Sequence, residues 1–154
     1  MGEPRIDVHA ASAAPPERVW ALLADATTWP GWSSFDEAEI VRSGDDDPQG
    51  VGTLRRFRRG RVRSLERIIA FEPPRHVAYA LISGLPLRDY RGDVTLTPTS
   101  TGGTDIHWQS RYGLKIPLTS RLFRRKLGGF IQETADALAA AAASDPSGSD
   151  ATTG

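Results

Sequence analysis

Between Gly52 and Leu114 the chain alternates apolar and polar residues in five runs, and an amphipathic stretch lies on either side of that block. Alternation with period two predicts β-strands that bury one face. The runs place strands over Gly52–Arg59, Arg61–Glu72, His76–Ser83, Arg88–Thr97 and Thr104–Leu114. Arg59-Gly60, Pro73-Pro74, Gly84-Leu85-Pro86 and the Pro98–Gly103 stretch supply the turns. Upstream, Ile6, Val8 and Ala10 alternate within a strand over Arg5–Ser12, and a second strand covers Glu37–Ser43. Between those two, Pro15-Pro16 opens an amphipathic helix over Glu17–Ala24, and a short helical turn over Thr27–Ser33 is broken at Pro30-Gly31. Downstream, Pro117 opens a long helix reaching Ala143, with an apolar stripe of Leu118, Leu122, Phe123, Leu127, Phe130, Ile131 and Leu138. Gly128-Gly129 weakens that helix, at about 1 kcal/mol per glycine.

Residues directly opposed across an antiparallel ladder share a face, so the turns assign every side chain a side. A turn at Arg59-Gly60 sets Phe57 against Val62, Arg55 against Ser64 and Thr53 against Glu66. A turn bracketed by Glu72 and Arg75 sets Ile68 against Tyr79, Glu66 against Leu81 and Ala70 against Val77. Continuing the ladder sets Val94 against Trp108 and Tyr90 against Tyr112. One face then gathers Phe57, Ile68, Val77, Tyr79, Leu81, Tyr90, Val94, Leu96, Ile106, Trp108 and Tyr112, together with Val62. The other gathers Arg61, Arg63, Arg67, Arg91, Asp93, Thr95, His107, Gln109 and Arg111.

The inner face also receives polar groups: Arg55, Ser64, Glu66 and the hydroxyls of Tyr79, Tyr90 and Tyr112. A buried carboxylate needs a partner. Arg55, diagonal to Glu66 in this register, supplies one. The pair is read either as a salt bridge that fixes register or as a polar anchor and acid–base pair for a ligand. A mid-strand glycine, Gly92, marks a bend or a close approach. Trp20, Trp29 and Trp32 are read as helix-to-sheet packing, and Trp108 as a cavity wall. The helix contributes Leu122, Leu127, Phe130 and Ile131 to the opposite wall, and the loop at Leu85 and Pro86 stands at the mouth.

Composition narrows the function. The length, 154 residues, fits a single domain. Nineteen basic residues balance nineteen acidic ones, which argues against nucleic acid despite the arginine run from Arg55 to Arg63. The absence of cysteine excludes disulfides, thiolate nucleophiles and cysteine metal sites. Three histidines, His9, His76 and His107, are too scattered in sequence for a recognisable metal motif, so neither a metal nor a cofactor is expected. No apolar run reaches the ~18 residues of a membrane span, and the start lacks the apolar core of a signal peptide. The expected location is cytoplasmic. Residues 144–154 read as a disordered tail.

The order of strand, two short helices, six strands and a long C-terminal helix is the helix-grip arrangement, an α+β fold whose seven-stranded antiparallel curved sheet wraps the last helix. The chain resembles the START-like, polyketide cyclase/dehydrase superfamily. The resemblance is carried by Ala13–Asp25 with Trp29-Pro-Gly-Trp32, by Leu65-Glu-Arg-Ile68 and Phe71-Glu-Pro-Pro-Arg75, and by Asp89-Tyr-Arg-Gly92, Leu96-Thr-Pro98 and Gly102–Trp108. It implies one ligand-binding domain over residues 1–143. The expected partner is a hydrophobic, aromatic or polycyclic small molecule held between sheet and helix, with a homodimer also compatible. Arg55, Phe57, Glu66, Ile68, Tyr79, Leu81, Tyr90, Val94, Trp108, Tyr112, Leu127, Phe130 and Ile131 are the expected ligand contacts. The resemblance also admits a cyclase or dehydratase acting on a poly-β-ketone, with Glu66 and Arg55 as candidate catalytic residues. It further admits a co-chaperone-like module that binds a protein through the arginine-rich outer face.

Overall fold

The computed structural model describes residues 5–114 and 120–144. In chain order these form β1 (Arg5–Ser12), α1 (Pro16–Ala24), a 3-10 helix (Ala26–Gly31), β2 (Glu37–Arg42), β3 (Leu54–Arg59), β4 (Val62–Glu72), β5 (His76–Ser83), β6 (Leu87–Pro98), β7 (Thr104–Leu114) and α2 (Ser120–Ala143). All seven strands join one curved antiparallel sheet in the order β1-β7-β6-β5-β4-β3-β2. The two short helices form the connection between its two edge strands. The expected start of the long helix at Pro117, with Leu118, lies outside the described residues, as does most of the expected tail.

Local chemistry sets the helix boundaries. Pro15 takes an extended conformation at the N-cap of α1, and Pro16 fills the first turn, where a missing N–H costs nothing. Asp25 ends α1 and accepts a 3.0 Å hydrogen bond from Thr27 N, starting the 3-10 helix. Helix α2 runs unbroken through Gly128-Gly129 because tertiary packing holds it. Ser12 Oγ donates to the Ala139 carbonyl at 2.8 Å, and Gln132 Nε2 donates to the His9 carbonyl at 2.9 Å. No helix among the described residues is long and apolar enough to cross a membrane.

Two registers differ from the expectation. The β3–β4 turn is Gly60-Arg61, not Arg59-Gly60, so Arg59 opposes Val62, Phe57 opposes Ser64 and Arg55 opposes Glu66 directly. Gly60 sits at the first turn position with φ 62°, the place a two-residue hairpin gives to glycine. On β4 a bulge between Ile68 and Ala70 sets Ala70 against Ala78 and Phe71 against Val77. It turns Phe71 inward, 5.2 Å from the Trp20 ring, where Ala70 was expected.

The core lies between the concave sheet face and the helices. Val19, Leu23, Trp29, Ile106, Trp108 and Leu138 are buried there. The outer face carries ion pairs. Arg56 bonds Glu39 at 2.6 Å, and Arg58 reaches Glu37 at 3.2 Å and Asp36 at 3.4 Å. Part of the arginine run is therefore paired with acids on and just before β2.

Candidate functional site

A cavity of about 390 Å³ lies between the sheet and α2. Among the described residues six tryptophan and phenylalanine rings wall it: Trp29, Phe35, Phe57, Trp108, Phe123 and Phe130. Leu81, Leu127 and Ile131 complete the apolar lining, and Ser64, Glu66, Tyr79, Tyr90 and Thr134 are its polar groups. Arg59, Val62 and Lys126 also line it and are exposed. They mark the mouth, between the β3–β4 turn and α2, with Leu85 of the β5–β6 turn at its edge. Arg59 lies over the Phe130 ring at 5.0 Å, a cation on the mouth's aromatic rim.

Strand alternation puts Phe57, Tyr79, Tyr90 and Trp108 on one face, and the curvature of the sheet turns them toward a common space. Gly92 makes this possible. A Cβ there would stand 2.3 Å from Tyr79 Cζ, so only glycine lets the Tyr79 ring lie across β6. Tyr79 Oη then accepts from Trp108 Nε1 at 3.0 Å and meets Tyr90 Oη at 3.4 Å, while Tyr90 Oη pairs with Ser110 Oγ at 2.8 Å. Burial pushes both phenols up, Tyr90 to about 12 and Tyr79 well above the ordinary range. At neutral pH they are neutral hydroxyls that orient an oxygen or nitrogen of a ligand without adding charge.

Arg55 does not line the cavity. Its side chain is 2% exposed and stands behind the wall, with its guanidinium carbon 5.1–5.6 Å from the rings of Phe57, Trp29 and Tyr79. From there Nη2 donates to Glu66 Oε1 at 2.8 Å. Glu66, whose side chain is 14% exposed, is the carboxyl that faces the cavity. Burial raises its pKa, and the charge and hydrogen bond of Arg55 oppose that rise without cancelling it. The pair thus presents one proton-holding group to the hollow and keeps its counter-charge out of reach.

Of the expected contacts, the fold brings Phe57, Glu66, Tyr79, Leu81, Tyr90, Trp108, Leu127, Phe130 and Ile131 to the cavity. It places Ile68, Val94 and Tyr112 in the packed core instead. Tyr112 is fully buried, and its hydroxyl has no hydrogen-bond partner among the described residues. Leu122 is 58% exposed and contributes no wall; its neighbour Phe123 takes that place. The sequence reading missed Trp29 and Phe35 as lining. Trp29 lies within the 3-10 helix, and its Nε1 donates to the Leu23 carbonyl at 3.1 Å, which holds the ring in place on the cavity wall.

A curved antiparallel sheet closed by a long helix over an aromatic hollow is the helix-grip arrangement. The family model for polyketide cyclase/dehydrase and lipid transport proteins matches residues 3–143, and the chain belongs to that family. The fold is similar to that of a START superfamily protein from Mycobacterium smegmatis, with 13% identity, a TM-score of 0.77 and coverage of 88% of this chain and 94% of that one. It is also similar to the protein XoxI from Bacillus cereus, with 15% identity, a TM-score of 0.73 and coverage of 89% and 94%. Ara h 8.0201 matches with 18% identity, a TM-score of 0.73 and coverage of 94% and 100%. No curated protein matches the sequence.

Proposed function

We propose that this protein binds a hydrophobic aromatic small molecule of a few fused rings in the cavity between the sheet and α2. The carrying observation is the cavity itself: about 390 Å³, walled by tryptophan and phenylalanine rings and furnished with Glu66 and a hydrogen-bonded chain of tyrosines. That volume is near the lower end of the roughly 300–1,000 Å³ of small-molecule sites. It favours a compact polycycle over a long acyl chain. Apolar area supplies the affinity, and the Glu66 carboxyl with the Tyr79 and Tyr90 hydroxyls selects an orientation. Native mass spectrometry of the protein purified from its own cells tests this. A one-to-one adduct with the mass of an aromatic metabolite supports the reading. Adducts showing only acyl-chain masses contradict it.

One observation favours a second reading, a cyclase or dehydratase. Among the described residues Glu66 is the one carboxyl on the cavity wall, and its pKa is raised, as a general acid or base requires. Enolisation of a ketone needs such a base, with an oxygen held by donors such as the tyrosine hydroxyls. In this reading Glu66→Gln abolishes turnover of a poly-β-ketone by the folded protein while ligand binding persists. Turnover that survives the substitution removes Glu66 from catalysis.

A further inference from the structure

We propose that the outer face of the β1–β7 pair holds a site for one divalent transition cation of the zinc class, with His9, His107 and Asp7 as its ligands. His107 follows His9 by 98 positions, yet the ladder sets them directly opposite each other. Their rings stack with centroids 4.2 Å apart and planes 9° from parallel. Asp7 is two positions before His9, so strand alternation puts it on the same face. Both imidazoles turn Nε2 to a single carboxylate oxygen: Asp7 Oδ1 is 2.7 Å from His107 and 3.3 Å from His9. All three residues offer a ligand atom within 4.8 Å of the others.

The spacing suits an ion. Nitrogen and oxygen ligands stand about 2.0–2.2 Å from zinc, so donors around one ion lie roughly 3 Å apart. The two nitrogen-to-oxygen distances already bracket that separation. An imidazole binds an ion in its own ring plane, so one of the two stacked rings must rotate to share the cation, and the exposed His9 is free to do so. Two imidazoles and one carboxylate match the borderline metals, such as zinc and nickel, rather than calcium or magnesium. Water is free to fill the remaining positions, because His9 and Asp7 are exposed and His107 is half-buried.

The backbone beneath is fixed. β7 is paired on both sides, and Gln132 of α2 bonds the His9 carbonyl. Gln109 Nε2 lies 3.4 Å from the second Asp7 oxygen and orients the carboxylate from outside the site. Two positions along the same face, Arg5 opposes Arg111. Their charge works against a cation, which sets the expected affinity in the micromolar rather than the nanomolar range. An ion bound here clasps an edge strand to its neighbour. It stabilises the folded chain because the unfolded chain cannot bring the three ligands together.

Isothermal titration of the untagged, metal-free chain with zinc chloride near neutral pH tests the site, with a thermal melt as second readout. The expected result is one zinc per chain and a raised melting midpoint. His9→Ala and His107→Ala each weaken binding by about tenfold or more. His76→Ala leaves it unchanged, since that side chain sits elsewhere, between Glu72 and Asp93. No binding at millimolar zinc overturns the proposal. So does binding that is unchanged in both His9→Ala and His107→Ala, or binding that leaves the melting midpoint where it was.

Discussion

Arg55 and Glu66 face each other across one rung of the β3–β4 ladder, and removing them has opposite consequences. Arg55 is the more deeply buried, and without it the Glu66 carboxylate is left against aromatic rings. Arg55→Met is expected to cost about 3 kcal/mol at neutral pH, the order seen when one partner of a buried pair is removed. Glu66→Gln behaves differently, because the amide oxygen still accepts from Arg55 and a charge that burial disfavours is gone. The folded Glu66 holds its proton to higher pH than the ordinary 4.5. Protonation therefore favours the fold; that contribution is complete below the unfolded value and is lost as pH rises through the raised folded one. Glu66→Gln is thus expected to be more stable than wild type at pH 7, with the gap closing as pH falls through the raised folded value and gone below 4.5. Urea denaturation at several pH values measures both. A Glu66→Gln protein less stable than wild type at pH 7 contradicts the raised carboxyl. The inward position of this pair was legible from alternation alone. That Arg55 stands behind the wall was not, because parity assigns a face and not a depth.

The seven strands, α1 and the long helix were readable as elements because each has a clear period and proline or glycine at its ends. What alternation could not supply was the β4 bulge. No residue in Leu65-Glu-Arg-Ile-Ile-Ala-Phe71 announces it, and only packing of Phe71 against Trp20 explains which ring turns inward. The β3–β4 turn was misplaced by one residue although its signal was present: glycine belongs at the first turn position, and Gly60 with its positive φ occupies it. Gly92 was readable as a close approach, and its neighbour proved to be the Tyr79 ring. Gly92→Ala is accordingly expected to push that ring aside and break its bond to Trp108. A loss of about 1–3 kcal/mol follows from such overpacking. Thermal unfolding together with the Trp108 indole N–H resonance reports both effects, and an unshifted resonance contradicts the close contact.

At the scale of the molecule, a hollow remains because the sheet bends away from α2 and large rings line the gap without filling it. The helix stripe pointed to this wall correctly at Leu127, Phe130 and Ile131. It erred at Leu122, because a stripe read from spacing alone runs wider than the surface a curved sheet covers. Trp29 and Trp108, on opposite elements of the same cavity, are native reporters of what enters it. The most direct test is to titrate the protein with anthraquinone, a compact aromatic diketone, while following tryptophan fluorescence, and to repeat it with Thr134→Trp. That substitution puts a large side chain at a buried position on the cavity wall. Saturable one-site quenching in wild type, measured as energy transfer from a fixed excitation and absent from the filled variant, is the predicted result. No quenching in wild type, or equal saturable binding in a folded Thr134→Trp protein, would contradict a ligand site between the sheet and the helix.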